Sequence, residues 1–177
     1  MGLASDLGYQ LGDQSRMRRW LVELAGTRLV SAVNRRILRP VDRLALRLTG
    51  GNNTLSTWAS GIPTLWLTTV GARSGESRTV PLLGIPINDD LAVLGTSFGQ
   101  KKTPAWVHNL MAHPDAVVSN GERRVEVTAR PAAPGEETEI WERAALVYPG
   151  YSNYAVWAGH RELRVFVLEP RDGRRRE

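Results

Sequence analysis

The chain has 177 residues, enough for one domain or one domain with an appendage. A hydrophobic fraction of 42% and a charged fraction of 23% are those of a globular protein and exclude a wholly disordered chain. With no cysteine there is no disulfide, thiolate metal site or cysteine nucleophile, and three histidines (His108, His113, His160) leave little material for a metal centre. No apolar run approaches the ~18 residues of a membrane span, and the first residues show neither a basic start nor an apolar stretch. A cytoplasmic protein is the expectation.

The net charge of +5 is unevenly placed. Between Arg16 and Leu48, nine arginines face only Glu23 and Asp42, so this stretch carries +7 and the rest of the chain −2. Val30, Val33, Ile37, Val41, Leu44 and Leu48 share one helical face, Pro40 divides the stretch, and Gly50-Gly51 stops it. Such a basic amphipathic segment either packs on the domain with its arginines in water or makes peripheral contact with an anionic membrane surface. Nucleic acid is not expected, because no recognised DNA- or RNA-binding motif accompanies the charge.

Residues 50–60 are polar and glycine-rich and read as a linker. The period then becomes strand-like. Residues 64–70 are rich in β-formers, residues 71–75 form a loop, and residues 78–87 resume extended character as an edge or bulged strand because of Pro81 and Pro86. A turn at residues 88–90 leads to a strand over 91–97. Thr103 and Pro104 suit the N-cap and first position of a helix whose apolar face is Trp106, Val107, Leu110 and Met111, ended by His113-Pro114. Residues 117–129 form a hairpin, with Asn120-Gly121 as a type I′ turn. Helices over 134–147 and 151–160 precede a last strand over 163–168. These elements give an α+β fold: a six-stranded antiparallel, partly open β-barrel with peripheral helices. Residues 1–60 form a basic helical extension and linker, 61–170 the barrel, and 171–177 a charged tail.

The common catalytic motifs are missing: there is no G-x-G-x-x-G after a strand, no P-loop and no G-x-S-x-G. Glu136, Glu137 and Glu139 lie at a helix start, where carboxylates favour the dipole. What remains is suited to anions. One device is Arg73-Ser74-Gly75 with Arg78; arginine grips phosphate or carboxylate in a fork and serine adds a hydroxyl. The other runs from Gly95 to Lys102 into the Thr103 helix, where glycines free the backbone and a helix N-terminus with two lysines attracts negative charge. Two such devices, each after a strand, fit one pocket for an anionic cofactor. Trp106, with Asn109 on a similar face, is either a core residue or the rest for a flat ring. Tyr148, Tyr151 and Tyr154 either pack together or line a substrate pocket.

The segments Leu67–Gly75 and Arg78–Leu82 resemble the deazaflavin-dependent nitroreductase family, as do Pro104–Leu110, His113-Pro114, the Tyr148-Pro149-x-Tyr151-x-x-Tyr154 run and the closing Val165–Pro170. The match covers roughly residues 60–170, with departures at Ala72, Ser97, Phe98 and Val107. The resemblance implies a split β-barrel that binds coenzyme F420, an 8-hydroxy-5-deazaflavin with a phosphate and glutamate tail. By position, Arg73, Ser74 and Arg78 would hold the tail, with Lys102 near its anionic end. Thr79, Val80 and Pro81 would border the ring, and Thr96, Ser97 and Phe98 would line the loop beside it. Trp106, Val107 and Asn109 would contact the deazaflavin, and Tyr151, with Tyr148 and Tyr154, would face the substrate and supply a proton. The expected activity is hydride transfer from reduced F420 to an activated double bond, quinone or nitro compound, by an enzyme that pairs as a homodimer. Alternatives are an FMN- or haem-binding split barrel, or a non-enzymatic basic adaptor at a membrane surface.

Overall fold

The computed structural model describes residues 2–11, 63–159 and 161–171. The basic segment 16–48, the linker 50–60 and most of the charged tail lie outside the described residues. Among the described residues, no helix is long and apolar enough to cross a membrane.

Among the described residues, seven strands form one antiparallel, curled sheet: β1 (Leu65–Val70), β2 (Ser77–Leu82), β3 (Ile85–Ile87), β4 (Asp90–Leu94), β5 (Asp115–Asn120), β6 (Arg123–Pro131) and β7 (Val165–Pro170). Their spatial order is β2-β1-β5-β6-β7-β4-β3. The helices are α1 (Leu3–Asp6), α2 (Ala105–Ala112), α3 (Pro134–Val147) and α4 (Gly150–Trp157), with one 3₁₀ turn at Ser97–Gly99. The α+β class of the sequence reading holds, but six strands become seven. Residues 78–87 are not one strand: β2 and β3 lie at opposite edges of the sheet. The break is at Gly84, whose N–H donates to the Tyr9 hydroxyl (2.9 Å) and whose carbonyl accepts from it (3.1 Å). That anchor comes from the far N-terminus, so local propensity does not reveal it. Pro81 and Pro86 both end up on edge strands, where the missing N–H costs no ladder bond.

Alternating strand residues divide the core in two. Leu65 and Leu67 of β1, Leu91 and Val93 of β4, Val118 of β5, Val127 of β6 and Phe166 and Leu168 of β7 pack with Trp106, Val107 and Leu110 of α2. Ala92 and Leu94 of β4 and Val165 and Val167 of β7 pack with Ile85 and Ile87 of β3 against Ile140 and Ala144 of α3 and Tyr151 and Tyr154 of α4. Each fully buried aliphatic side chain contributes about 1.5–3 kcal/mol of transfer free energy. Leu3, Leu7 and Tyr9, assigned from sequence to an N-terminal extension, sit in the first cluster. The Leu3 amide donates to the Asp89 carbonyl (2.6 Å), and Asn120 Nδ2 donates to the Leu7 carbonyl (3.2 Å).

The β5–β6 hairpin is present, with its turn one residue later than expected. Asn120 pairs with Arg123, so Gly121 and Glu122 are the central residues. Gly121 has φ +59° and Glu122 is not in the positive-φ region, which excludes type I′ and matches glycine at the first position of type II′. Helix α3 occupies the expected span. Its Glu136 accepts from the Ala133 amide (3.1 Å) and from Arg130 Nη1 (2.6 Å), while Arg130 Nε reaches Glu169 (2.7 Å). The Arg130 bonds hold the Glu136 carboxyl below its usual range. This carboxylate therefore caps a helix and ties it to the sheet.

Candidate functional site

The turn between β1 and β2 closes on itself. The Gly71 amide donates to the Glu76 carbonyl (2.8 Å) and the Gly75 amide to the Gly71 carbonyl (2.8 Å), with Gly75 at φ +68°. Ser74 Oγ accepts from the Glu76 amide (3.3 Å). This local closure turns Arg73, Ser74 and Arg78 outward, and all three are exposed. Arg78, 62% exposed, pairs with Glu76 at 2.5 Å. Thr79 is exposed on β2, its hydroxyl 2.9 Å from that of Thr68; Pro81 is exposed, and Val80 packs partly on the first core cluster.

Helix α2 is fastened to this turn by one side chain. Asn109 is 7% exposed; its Nδ2 donates to Thr69 Oγ1 (3.0 Å) and its Oδ1 accepts from the Ala72 amide (3.0 Å). The middle of α2 is thereby tied to the last residues of β1 and to the turn that carries Arg73, while the exposed Lys101 and Lys102 lie four and three residues before the first helical residue, Ala105. Trp106 faces the protein: it is 6% exposed, its ring centroid 6.1 Å from that of Phe166. Val107 is buried and would meet any Cβ at Gly95, 2.8 Å from its Cγ2. Asn109 thus acts here as a tie between elements, the Val107 side chain packs against Gly95 of the 95–102 loop, and Trp106 packs in the first core cluster.

That loop has an unusual backbone. Ser97 (φ +48°), Phe98 (φ +56°) and Gly99 (φ +71°) are left-handed in succession. For the two non-glycine residues this costs of order 1–3 kcal/mol each, and such strain persists only where the surroundings impose it. The surroundings are visible. The Gly95 amide donates to the Arg164 carbonyl (2.9 Å), the Phe98 ring packs edge-on to Tyr154 (5.8 Å), and Gly99 lies so close to Trp157 that a Cβ would come within 2.7 Å of its Cβ. Arg161 donates from Nε to the Gln100 carbonyl (3.2 Å) and from Nη2 to those of Gly95 (3.1 Å) and Thr96 (3.0 Å). Sequence reasoning missed Arg161. The only cue was an arginine after a glycine-ended helix, and its acceptors are carbonyls, which carry no residue identity.

The tyrosines form one aromatic cluster with Trp141, Trp157 and Phe98. Tyr148, Tyr151 and Tyr154 have mutual centroid distances of 5.8–6.1 Å. Tyr148 and Tyr154 share a hydroxyl–hydroxyl hydrogen bond of 2.9 Å. Tyr151 is only 6% exposed, whereas Tyr148 is half-buried. Burial pushes the Tyr148 and Tyr151 hydroxyls well above the usual phenol range, so both are protonated at neutral pH. Among the described residues no group of His, Asp or Glu is arranged to hold a metal ion.

Residues 39–170 match the F420H(2)-dependent quinone reductase family. Rv3178 of Mycobacterium tuberculosis H37Rv is 31% identical over 110 residues, 62% of this chain and 92% of Rv3178. The F420H(2)-dependent quinone reductase Rv1261c of the same organism is 33% identical over 82 residues, so this chain spans just over half of that relative (55%). Among solved structures, the F420-H2 dependent reductase FDR-A superposes with a TM-score of 0.55 at 33% identity, covering 60% of this chain and 94% of its own. A domain-swapped dimer superposes at 0.57 and 30% identity, covering 72% and 95%. The matched span takes in every strand of the sheet, the basic turn, the left-handed loop and the tyrosine cluster, and on that ground the chain belongs to the F420H(2)-dependent quinone reductase family.

Proposed function

We propose that this chain uses reduced coenzyme F420 to deliver a hydride to a small hydrophobic acceptor of the quinone, activated-alkene or nitro class, with the cofactor seated where the β1–β2 turn meets the start of α2. The observation that carries this reading is the Asn109 tie, which fastens the exposed basic turn to the helix that follows the loop bearing Lys101 and Lys102. The residues fit the cofactor: a phosphate and glutamate tail needs cations and hydroxyls within reach of solvent, and Arg73, Ser74, Arg78 and Lys102 are such groups. Thr79, Val80 and Pro81 on the edge strand and Ser97 and Phe98 on the loop would border the ring, with the buried Thr96 behind them.

F420 supplies the hydride, and the chain needs no nucleophile of its own. The protein's part is to fix the ring and limit water around it. Trp106, Val107 and Asn109 do this indirectly, by holding the two loops. Of the three tyrosines, Tyr148 is the best placed to move a proton. It is accessible, its phenol stays protonated, and Tyr154 lies 2.9 Å from its oxygen to replace what it gives. Tyr148→Phe is expected to lower kcat by about a hundredfold with F420 affinity unchanged, as turnover and fluorescence titration would show. An unchanged kcat removes Tyr148 from the reaction. The domain-swapped relative supports a homodimer as the assembly.

The deciding experiment is a titration of the purified protein with F420 beside one with FMN. Saturable binding of F420, and reduction of a quinone by F420H2, support the reading. Preference for FMN, or binding of neither, sinks it.

A further inference from the structure

We infer that Arg161 is a positioning residue for the cofactor loop: its guanidinium clamps residues 95–100 in the left-handed path that presents Ser97 and Phe98. The inference rests on the cofactor seat proposed above and adds the device that shapes one wall of it. Three observations carry it.

First, among the described residues every hydrogen bond that Arg161 donates from its side chain goes to this one loop: the carbonyls of Gly95, Thr96 and Gln100, at 3.0–3.2 Å. Those carbonyls bracket the three left-handed residues on both sides. A forked, planar donor can hold three acceptors at fixed angles, which a lysine ammonium on a flexible stem cannot.

Second, the arrangement is poor as a stabilising device. Among the described residues no carboxylate pairs with Arg161; neighbouring Glu162 pairs instead with Arg164 at 2.9 Å. Nη1 is buried, and among the described residues it has no hydrogen-bond partner. Partial burial pushes the guanidinium below its usual range. Holding a half-buried cation on neutral acceptors costs free energy, and an orphaned donor adds to that cost. The positive charge becomes useful when an anionic group lies beside the loop.

Third, the loop is strained, and its left-handed residues have few other ties. The Gly99 and Gln100 amides donate to the Thr96 and Ser97 carbonyls at 3.0 and 3.2 Å, the Gly95 amide to the Arg164 carbonyl at 2.9 Å anchors only the entry to the loop, and Phe98 and Gly99 are otherwise restrained by contacts with α4. Without the clamp, Ser97 and Phe98 can relax to right-handed backbone, and their side chains leave the seat.

The test compares wild type with Arg161→Met, Arg161→Lys and, as a control for lost stability, Ile140→Val in the core under α3. F420 affinity, KM for F420H2, kcat and Tm are measured for each. Arg161→Met is expected to weaken F420 binding about tenfold to a hundredfold and raise KM in parallel, with kcat changed by less than about threefold. Arg161→Lys is expected to recover part of the affinity. Ile140→Val is expected to lower Tm and leave F420 affinity within about twofold. Hydrogen exchange at the Gly99 and Gln100 amides should quicken in Arg161→Met. Arg161→Met binding F420 like wild type overturns the inference, as does a control that loses affinity in step with its Tm. If Arg161→Met does not fold, wild-type affinity in Arg161→Lys overturns it. Wild-type protein that fails to bind F420 overturns the seat itself, and the clamp's role with it. Wild-type binding with an indifferent Arg161 variant overturns the clamp alone.

Discussion

The two loops assigned to the proposed cofactor seat are built in opposite ways. The β1–β2 turn is held by its own backbone: Gly71, Gly75 and Glu76 close it within a few residues, and its cations face water. The 95–102 loop is held from outside, by Arg161, Tyr154 and Trp157, some 55 to 65 residues further along the chain. The first can present charges to an anion with little reorganisation. The second stores backbone strain that distant residues must keep in place. One loop supplies charge and the other supplies shape, and each should fail in its own way when altered.

The sharpest way to break the comparison is to strip the turn of charge. Arg73→Ala and Arg78→Ala should each cost about 1.5–3 kcal/mol of F420 binding while leaving Tm close to wild type, because neither side chain is buried. A pair of variants that bind F420 normally by fluorescence titration would show that the turn is not the anion grip. Next in size is Asn109→Ala, which leaves Thr69 and the Ala72 amide without their buried partner and should cost about 1–3 kcal/mol of stability. Unlike the arginine variants, it should lower stability in denaturant melts and cofactor affinity together, since it unfastens α2 from the turn. Smaller again is Gly99→Ala. A Cβ at φ +71° costs about 1–2 kcal/mol and must push on Trp157. Its effect should be greater on F420 affinity than on the melting of the sheet. An alanine tolerated in both measurements would show that the left-handed path is not required.

Much of this was legible in the chain. The apolar alternation and turn residues placed β1, the β5–β6 hairpin and α3 near where they are, because each depends on neighbours a few residues away. The anion-suited devices were legible for the same reason: Arg73, Ser74, Arg78, Lys101 and Lys102 belong to local turns. The division of residues 78–87 into β2 and β3 was not, because Gly84 is anchored by the hydroxyl of Tyr9, 75 residues upstream. The reach of the N-terminus into the core was hidden likewise: Leu3, Leu7 and Tyr9 look like a short, weakly patterned leader until the sheet offers them a surface. Trp106 and the tyrosines were ambiguous between packing and site. Spacing alone does not say which way a ring points; in the structure Trp106 turns to Phe166 and only Tyr148 keeps access.

Residue types and short-range order suffice for most of the elements, the charge of the turn and the resemblance to the family. The joining of helix to turn by Asn109, the division of the edge strands at Tyr9 and the grip of Arg161 on the strained loop come only with folding. The physical reason is the same in each case: these are hydrogen bonds between a side chain and the backbone of a remote segment, and a backbone carbonyl or amide has no letter of its own in the chain.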